Sequence, residues 1–175
     1  MNDYLILVDE NDKPWGKLEK NLVHELGLLH RAFSIFIFNS MGEMLLQQRA
    51  EDKYHSGGLW TNACCSHPRF GEEVADAVTR RLEEEIGMKC EAEFVFSFTY
   101  NTSFENGLTE NEFDYVFIAV SDEIPKPNAS EVKSMKYMSV DSIRRDIKVN
   151  PQLYTVWFRL VFEKVISCRR IPMVA

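Results

Sequence analysis

The chain has 175 residues, of which 45% are hydrophobic and 27% charged, and its 20 Lys and Arg against 27 Asp and Glu give a formal net charge of −7. This length and apolar content fit one globular domain over residues 1–175 and exclude an intrinsically disordered chain. An acidic chain lacks the broad basic surface that binds nucleic acid or anionic membranes, so neither partner is expected, and an anionic substrate would require a local basic patch.

The four cysteines, Cys64, Cys65, Cys90 and Cys168, are too few and too irregularly spaced for a disulfide framework. Their use favours free thiols in a reducing compartment. The first residues form no signal sequence, and no stretch approaches the roughly 18 apolar residues of a membrane span. We therefore expect a cytoplasmic protein, for which a monomer is one possible state.

Strand-like and helix-like patterns are interleaved along the chain, which predicts a mixed α/β sandwich. Strands are expected at Tyr4–Val8 and at residues 32–38, 43–48, 94–100, 112–120 and 132–140, and helices at residues 72–86, 141–146 and 154–167. Residues 17–26 fit either a helical turn or a loop. Within residues 94–100, Phe94, Phe96, Phe98 and Tyr100 recur at period two, which predicts one aromatic face.

The helix over residues 72–86 is the strongest of these predictions, because Val74, Val78, Leu82 and Ile86 recur every four residues and Gly87 follows as a C-terminal cap. Beside this stripe, the i,i+4 spacing puts Arg80 near Glu84 and Arg81 near Glu85. Taken alone, these pairs indicate ordinary helix ion pairs, each worth about 0.2–0.5 kcal/mol.

The segment from Trp60 to Pro68 is unusual for its chemistry. Pro68 favours an extended conformation for the residue before it, and the preceding residues are compatible with a strand. Period two would then put Ala63, Cys65 and His67 on one face and Cys64 on the other. Cys65 and His67 are candidates for a metal ligand, a nucleophile or a proton donor, and the alternative is a buried cysteine beside a surface histidine.

A second cluster is predicted from carboxylates and imidazoles. Glu110 and Glu112 share a strand face about 7 Å apart, and taken alone they indicate a solvated edge. Of the four histidines, His24 and His30 lie together in one short segment, and His67 lies beside Cys65. Three imidazoles with two carboxylates would suit a divalent transition metal such as Mn or Zn.

The helix also resembles the Nudix box, Gly-x5-Glu-x7-Arg-Glu-U-x-Glu-Glu-x-Gly-U, where U is a bulky apolar residue. Counting from Ser66, the matching residues are Glu72, Arg80, Leu82, Glu84, Glu85, Gly87 and Met88. Ser66 replaces the first glycine, and Arg81 replaces a glutamate that binds metal in Nudix hydrolases. The second change argues against a generic diphosphate hydrolase.

Several other segments, taken in order, resemble the type 1 isopentenyl-diphosphate isomerases from about Leu18 to Trp157. They are residues 18–20, 24, 28–34, 60–62, 65–68, 110–112 and 157–158. The resemblance implies a Nudix-like sandwich, a mixed sheet flanked by helices. It also implies isomerisation of isopentenyl to dimethylallyl diphosphate through a carbocation.

By this resemblance, Cys65 and Glu112 are the two catalytic residues. Tyr100 would hydrogen-bond the catalytic carboxylate, and the π-face of Trp157 would stabilise the cation. The alternative for these two aromatics is a satisfied strand tyrosine and a core tryptophan.

The resemblance further implies two divalent cations and a small isoprenoid diphosphate as the partner. One cation, Mn²⁺, Zn²⁺ or Mg²⁺, would bind His24, His30, His67, Glu110 and Glu112. A Mg²⁺ would accompany the diphosphate, held by the Cys65 main-chain carbonyl and Glu85. The basic contacts to the diphosphate would be Lys20, Arg49, Lys53 and Arg81.

No functional position matches His55, Cys64, Cys90 or Cys168, which are expected to be structural or surface residues. Two functional alternatives to the isomerase stay open. One is a Nudix hydrolase of a diphosphate, against which Arg81 and the Cys65/Glu112 pair argue. The other is a non-enzymatic binding domain that a metal stabilises.

Overall fold

The computed structural model describes residues 4–169, which form a nine-stranded mixed β-sheet flanked by helices. The strands are β1 (Tyr4–Val8), β2 (Pro14–Glu19), β3 (His30–Phe38), β4 (Met44–Arg49), β5 (Trp60–Thr61), β6 (Cys64–Ser66), β7 (Ala92–Ser103), β8 (Thr109–Val120) and β9 (Val132–Met138). The helices are α1 (Lys20–Leu26), α2 (Val74–Arg81), α3 (Val140–Val149) and α4 (Val156–Cys168). The expected mixed α/β sandwich is confirmed, and within the described residues no helix is long and apolar enough to cross a bilayer.

Strand β3 is the centre of the sheet. Along one edge it pairs in parallel with β8 over its whole length, from His30 opposite Glu112 to Phe38 opposite Val120. It also pairs in turn with β1, with β6 and with β4, all antiparallel. Because β1, β4, β6 and β8 all pair with β3, the positions of the first three strands relative to β8 are fixed.

One face of β3 and β8 changes character halfway along the strands. Alternate residues of a strand point to the same face, so the even-numbered residues form two parallel rows. Apart from Ala32, the buried members of these rows are polar in the first half and apolar in the second. They are His30, Ala32, Ser34, Phe36 and Phe38 on β3 and Glu110, Glu112, Asp114, Val116 and Ile118 on β8. The apolar half packs in the core, which leaves the polar half for a site.

The two faces of the sheet are covered by different helices. Helices α3 and α4 bury Ile143, Phe158 and Phe162 against one face, where the rings of Phe158 and Phe36 stack 6.0 Å apart. Helix α2 and the turn after it bury a second cluster against the other face. Each fully buried aliphatic or aromatic side chain contributes about 1.5–3 kcal/mol, so the two clusters hold the sheet rigid beneath the polar half.

The helix expected over residues 72–86 is shorter and is divided in two. It begins at Val74 because Glu72 lies outside it, accepting hydrogen bonds from the Arg69 amide and the Arg80 guanidinium. After Arg81 the chain continues as a π-helical turn, Leu82–Ile86, in which Glu85 is buried. The cap at Gly87 is confirmed, with φ at 62°, a conformation that favours glycine.

The aromatic face expected along residues 94–100 is wrong for Phe94. A β-bulge between Phe94 and Phe96 shifts the register, so the exposed Phe94 ring lies 5.6 Å from that of Tyr115, which packs against the cluster below α2. Phe96 and Phe98 pack on the α4 side instead. One extra residue in a strand turns the side chains that precede it to the opposite face of the sheet.

Residues 17–26, for which a helical turn or a loop was expected, form the end of β2 followed by helix α1. The Glu19 carboxylate caps the helix by accepting hydrogen bonds from the amides of Asn21 and Leu22. Gly27 ends it with φ at 62°.

Candidate active site

The polar half of the sheet face forms the floor of a cavity of about 140 Å³. Its walls come from α1, the loop over residues 50–58, the segment after β6, the start of α4 and helix α2. Side chains expected at the site that line it are Lys20, Arg49, Lys53, Cys65, His67, Arg81, Glu85, Tyr100, Glu110, Glu112 and Trp157. Residues from across the sequence therefore meet in one place.

Strand register brings three of these groups into one row. Glu112 on β8 lies opposite Tyr100 on β7 and opposite His30 on β3. Side chains directly opposite one another on neighbouring strands lie on the same face and in contact. The Tyr100 hydroxyl donates a hydrogen bond of 2.6 Å to Glu112 Oε2.

Three histidines and a glutamate form a compact cluster at one end of the cavity, which we call the His/Glu end. Each of His24, His30, His67 and Glu110 offers a ligand atom, and these atoms all lie within 4.8 Å of one another. Glu112 is adjacent, with Oε1 2.9 Å from His67 Nε2 and 3.7 Å from His30 Nε2.

The donor set fits a divalent cation. His24 Nδ1 lies 2.6 Å from the Lys20 carbonyl and His30 Nδ1 lies 2.8 Å from the Leu28 carbonyl, so these contacts take the ring protons and leave Nε2 as an acceptor. His30 Nε2 and His67 Nε2 nonetheless face each other at 3.2 Å, and among the described residues the buried Glu110 Oε2 has no hydrogen-bond donor. Converging lone pairs of this kind are those that a metal ion satisfies.

The protonation states of His67 and Glu112 also suit a cation. Burial lowers the pKa of His67 to about 4, despite its contact with Glu112, so the ring is neutral at neutral pH. For Glu112, burial and the charge of Glu110 favour the protonated acid, but its contacts with His30 and His67 outweigh them and the pKa falls below its usual value. Neutral imidazoles and ionised carboxylates are the forms that bind metals.

Cys65 lies half-buried on the cavity wall, and its neighbours favour the protonated thiol. Its Sγ donates to Asn62 Oδ1 at 3.0 Å and lies 3.6 Å from Ser34 Oγ, whose own proton goes to Asp114 Oδ2 at 2.7 Å. Burial is the main cause that raises the pKa of Cys65 to about 12, and the nearby Asp114 adds to it. The resting side chain is therefore a thiol rather than a thiolate.

The adjacent cysteine points to the other side of the sheet. Cys64 is fully buried in the cluster below α2, and its Sγ donates to Glu85 Oε2 at 3.5 Å. The expected opposition of Cys64 and Cys65 is confirmed. The expected position of Ala63 is wrong: it lies before β6, outside the alternation, and packs with Cys64.

The four basic residues expected to bind a diphosphate, Lys20, Arg49, Lys53 and Arg81, also line the cavity, and we call the part that they form the cationic end. Arg81 Nη2 donates to Glu85 Oε2 at 2.5 Å, as the helix spacing predicted. Burial and the charge of Lys53 lower the pKa of Lys20, as expected where positive charges are crowded.

Trp157, at the first turn of α4, closes the cavity above these groups. It is 4% exposed, and its ring lies 6.4 Å from that of Tyr100 and 5.4 Å from the Arg49 guanidinium. Within the described residues its indole nitrogen has no hydrogen-bond partner. The ring is therefore held by packing alone, with a π-face near the catalytic candidates.

Sequence reasoning missed three residues of the site. His55, expected to be structural or at the surface, is buried, with Nε2 2.5 Å from Glu110 Oε1 and its ring stacked on Phe104. Asp114 continues the alternation of Glu110 and Glu112, which was a usable signal. Glu131 lies between two of the cations, and no pattern in the sequence indicated it.

Comparison with known proteins identifies the fold. The family model described as NUDIX domain matches residues 28–158. Among solved structures, the DR0079 protein of Deinococcus radiodurans aligns with a TM-score of 0.77 at 19% identity, covering 96% of this chain and 100% of that one. The MutT protein of Methanosarcina mazei Go1 aligns with a TM-score of 0.66 at 18% identity, covering 79% and 94%. The chain is thus a Nudix-fold protein.

Curated relatives narrow the class further. The isopentenyl-diphosphate Delta-isomerase of Pectobacterium atrosepticum is 49% identical over 92% of this chain and 90% of its own length. Isopentenyl-diphosphate Delta-isomerase 2 of Aromatoleum aromaticum is 48% identical over 97% of this chain and 89% of its own. The chain belongs to the isopentenyl-diphosphate Delta-isomerase family of the Nudix superfamily.

Proposed function

We propose that this chain interconverts isopentenyl diphosphate and dimethylallyl diphosphate, with Cys65 and Glu112 as its catalytic residues. The main observation behind the proposal is their common cavity: a protonated thiol and a Tyr100-bound carboxylate lie between a His/Glu cluster and four cations. The four free cysteines further support a reducing, cytoplasmic location.

The reaction requires two proton transfers. Addition of a proton to the terminal =CH₂ carbon of isopentenyl diphosphate forms a new C–H bond and a tertiary carbocation. Loss of a proton from the methylene carbon on the other side of that centre forms the new double bond of dimethylallyl diphosphate. Protons balance over the cycle, so the protein needs a donor and an acceptor on the substrate but no external oxidant or reductant.

Cys65 and Glu112 would supply the donor and the acceptor from opposite sides of the substrate. An alkene is a weak base, so the acid must be held close to it in a site from which water is excluded. Asn62 holds the Cys65 thiol, and Tyr100 holds the Glu112 carboxylate. Fixing both groups before the substrate arrives reduces the reorganisation needed in the transition state.

Trp157 would stabilise the carbocation between these transfers. A cation over a desolvated indole face gains about 2 kcal/mol or more.

Two cations complete the proposal. The His/Glu end would hold one through His24, His30, His67, Glu110 and Glu112. A divalent cation bound there supplies positive charge that lowers the proton affinity of Glu112.

The cationic end would bind the diphosphate. Lys20, Arg49, Lys53 and Arg81 would contact its oxygens, and Glu85 with the Cys65 main-chain carbonyl would hold a Mg²⁺ that neutralises part of its charge. Arg81 thus takes a position where Nudix hydrolases have an acid, which favours anion binding over hydrolytic metal chemistry.

The direct test is a product assay. Purified, metal-loaded protein with Mg²⁺ and isopentenyl diphosphate should form dimethylallyl diphosphate until the two reach equilibrium. Release of inorganic phosphate or pyrophosphate from the same mixture should stay at the background rate. Release of phosphate without the allylic product would contradict the proposal and favour a hydrolase.

A further inference from the structure

Glu131 is an acid within the cationic end, where an anion is expected to bind. Its position is fixed by the backbone: its amide donates to the Asn128 carbonyl at 2.9 Å, and its own carbonyl accepts from the Ala50 amide at 3.0 Å. Ala50 directly follows Arg49, the last residue of β4, so Glu131 is anchored where β4 ends and the loop that carries Lys53 begins. These backbone hydrogen bonds hold the main chain of Glu131 within reach of the cations.

The Glu131 side chain contacts two of the four cations at once. Oε2 accepts a hydrogen bond from Lys53 Nζ, and Oε1 lies 3.5 Å from Arg81 Nη2. The carboxylate is 25% exposed and lines the cavity. Although burial favours the neutral acid, the contacts with Lys53 and Arg81 lower the pKa of Glu131, so it is ionised at neutral pH.

The charge balance of this end depends on Glu131. Its ionised carboxylate removes one unit of positive charge from the end that Lys20, Arg49, Lys53 and Arg81 form. A diphosphate carries about three negative charges near neutral pH, whereas its complex with one Mg²⁺ carries about one. Coulomb energy is proportional to the charge of the ligand, so a fixed acid repels the metal-free form about three times as strongly.

We propose that Glu131 makes the diphosphate pocket selective for the magnesium complex of the diphosphate over the metal-free anion. This inference rests on the proposed function, because it takes the cationic end as the diphosphate site. Glu131 acts here through its charge on the ligand and through Lys53 and Arg81, and it binds no metal itself. Such selectivity uses a repulsive element as well as attractive ones.

The test measures binding of inorganic pyrophosphate by calorimetry, so it does not depend on turnover. Metal-loaded protein is titrated in magnesium-free buffer and again with excess Mg²⁺. For Glu131→Gln, removing the acid should tighten binding of metal-free pyrophosphate by about tenfold and of the magnesium complex by less than about threefold. Glu131→Asp, which keeps the charge, should retain the preference of the parent protein.

A matched control, Glu51, lies in the loop that carries Lys53. Glu51 pairs with Lys133 at 2.5 Å, is 66% exposed and is not among the residues that line the cavity. Glu51→Gln makes the same change in total charge, so it should leave both affinities within about twofold. Equal tightening by Glu51→Gln and Glu131→Gln would overturn the proposal, since the effect would then come from net charge alone.

The remaining outcomes separate this inference from the proposed function. If the parent protein binds pyrophosphate and Glu131→Gln leaves the magnesium preference unchanged, the inference alone fails. If Glu131→Gln weakens binding of the magnesium complex, the inference also fails, and Glu131 would be a cation ligand. If the parent protein binds neither form, both the inference and the assignment of the cationic end fail.

Discussion

The two ends of the cavity differ in how the fold assembles them. The His/Glu end is built by strand register, since His30 and Glu112 are paired across β3 and β8, and both are less than 10% exposed. The cationic end comes from the start of α1, the end of β4, a loop and the end of α2, and although Arg49 is 8% exposed, the Lys53 and Arg81 side chains are 20% and 16% exposed. The first end is therefore fixed and dry, and the second is more open to solvent.

The two ends are therefore suited to different steps, proton transfer at one and diphosphate binding at the other. Proton transfer to carbon needs groups held in place and shielded from water, which paired strands within a packed core provide. Capture of a charged diphosphate needs cations that can adjust and be reached, which loops and helix surfaces provide. The net charge of −7 is compatible with an anionic substrate because the positive charge is concentrated at one end.

The largest effect is expected where the two ends meet, at Cys65. For Cys65→Ala, kcat should fall by about a thousandfold or more, because loss of a positioned acid or base typically costs 10²–10⁴. Cys64→Ala is the matched control: it points to the opposite face and should keep most of the activity. Equal losses in the two variants, measured at equal metal content, would refute the assignment of Cys65.

The second largest effect is expected from removing the metal ion from the His/Glu end. Treatment with a strong chelator should lower activity by about a hundredfold, and Mn²⁺ or Zn²⁺ should restore it. The melting temperature should fall as well, because a ligand at a hundred times its Kd adds about 2.7 kcal/mol of stability. Full activity in protein shown to be metal-free by elemental analysis would contradict this role.

Tyr100→Phe should produce a smaller change that is confined to catalysis. The hydroxyl donates to Glu112 at 2.6 Å, and a hydrogen bond to a charged group is worth about 1.5–3 kcal/mol. We expect kcat to fall about 10- to 100-fold with little change in KM. A raised KM at unchanged kcat would show that Tyr100 serves substrate binding instead.

Arg81→Gln should affect the cationic end alone. We expect KM for isopentenyl diphosphate to rise about tenfold while the metal content of the His/Glu end stays constant. Arg144 is the control, because its guanidinium pairs with Asp141 and Glu163 and it is not among the residues that line the cavity. An unchanged KM in Arg81→Gln, or the same rise in Arg144→Gln, would contradict the assignment.

The smallest effect concerns stability away from both ends. The hydrogen bond from Arg80 lowers the pKa of Glu72, although burial opposes it. A lowered pKa in the folded state stabilises the fold above the unfolded pKa, and this contribution disappears as pH falls through the folded value. Glu72→Gln should therefore lower the unfolding free energy by up to about 1 kcal/mol near pH 7 and by less near pH 3. Urea unfolding at the two pH values checks this, and an equal loss at both would argue against the ion pair.

Periodicity predicted the parts of this molecule that depend on local sequence. The bounds of β1 and the opposite faces of Cys64 and Cys65 follow from hydrophobic runs and strand alternation. The bulge after Phe94 was not predictable in this way, because an unpaired residue leaves the strand composition unchanged.

The site residues that sequence reasoning did not find were missed for a different reason. His55 and Glu131 lie in irregular segments, and their positions depend on long-range contacts to Glu110 and to the cations. Such contacts leave no periodic signal in one sequence. Resemblance to a family supplied most of the site, while charge balance within the cavity became visible only in three dimensions.

Isomerisation in D₂O tests the central claim most directly. If Cys65 and Glu112 exchange protons with solvent between turnovers, dimethylallyl diphosphate formed from isopentenyl diphosphate should carry deuterium in a methyl group. Mass spectrometry of the product gives the label, and Cys65→Ala at equal metal content should form almost none of it. Product that forms rapidly without deuterium, or at the parent rate in Cys65→Ala, would contradict catalysis by these two residues.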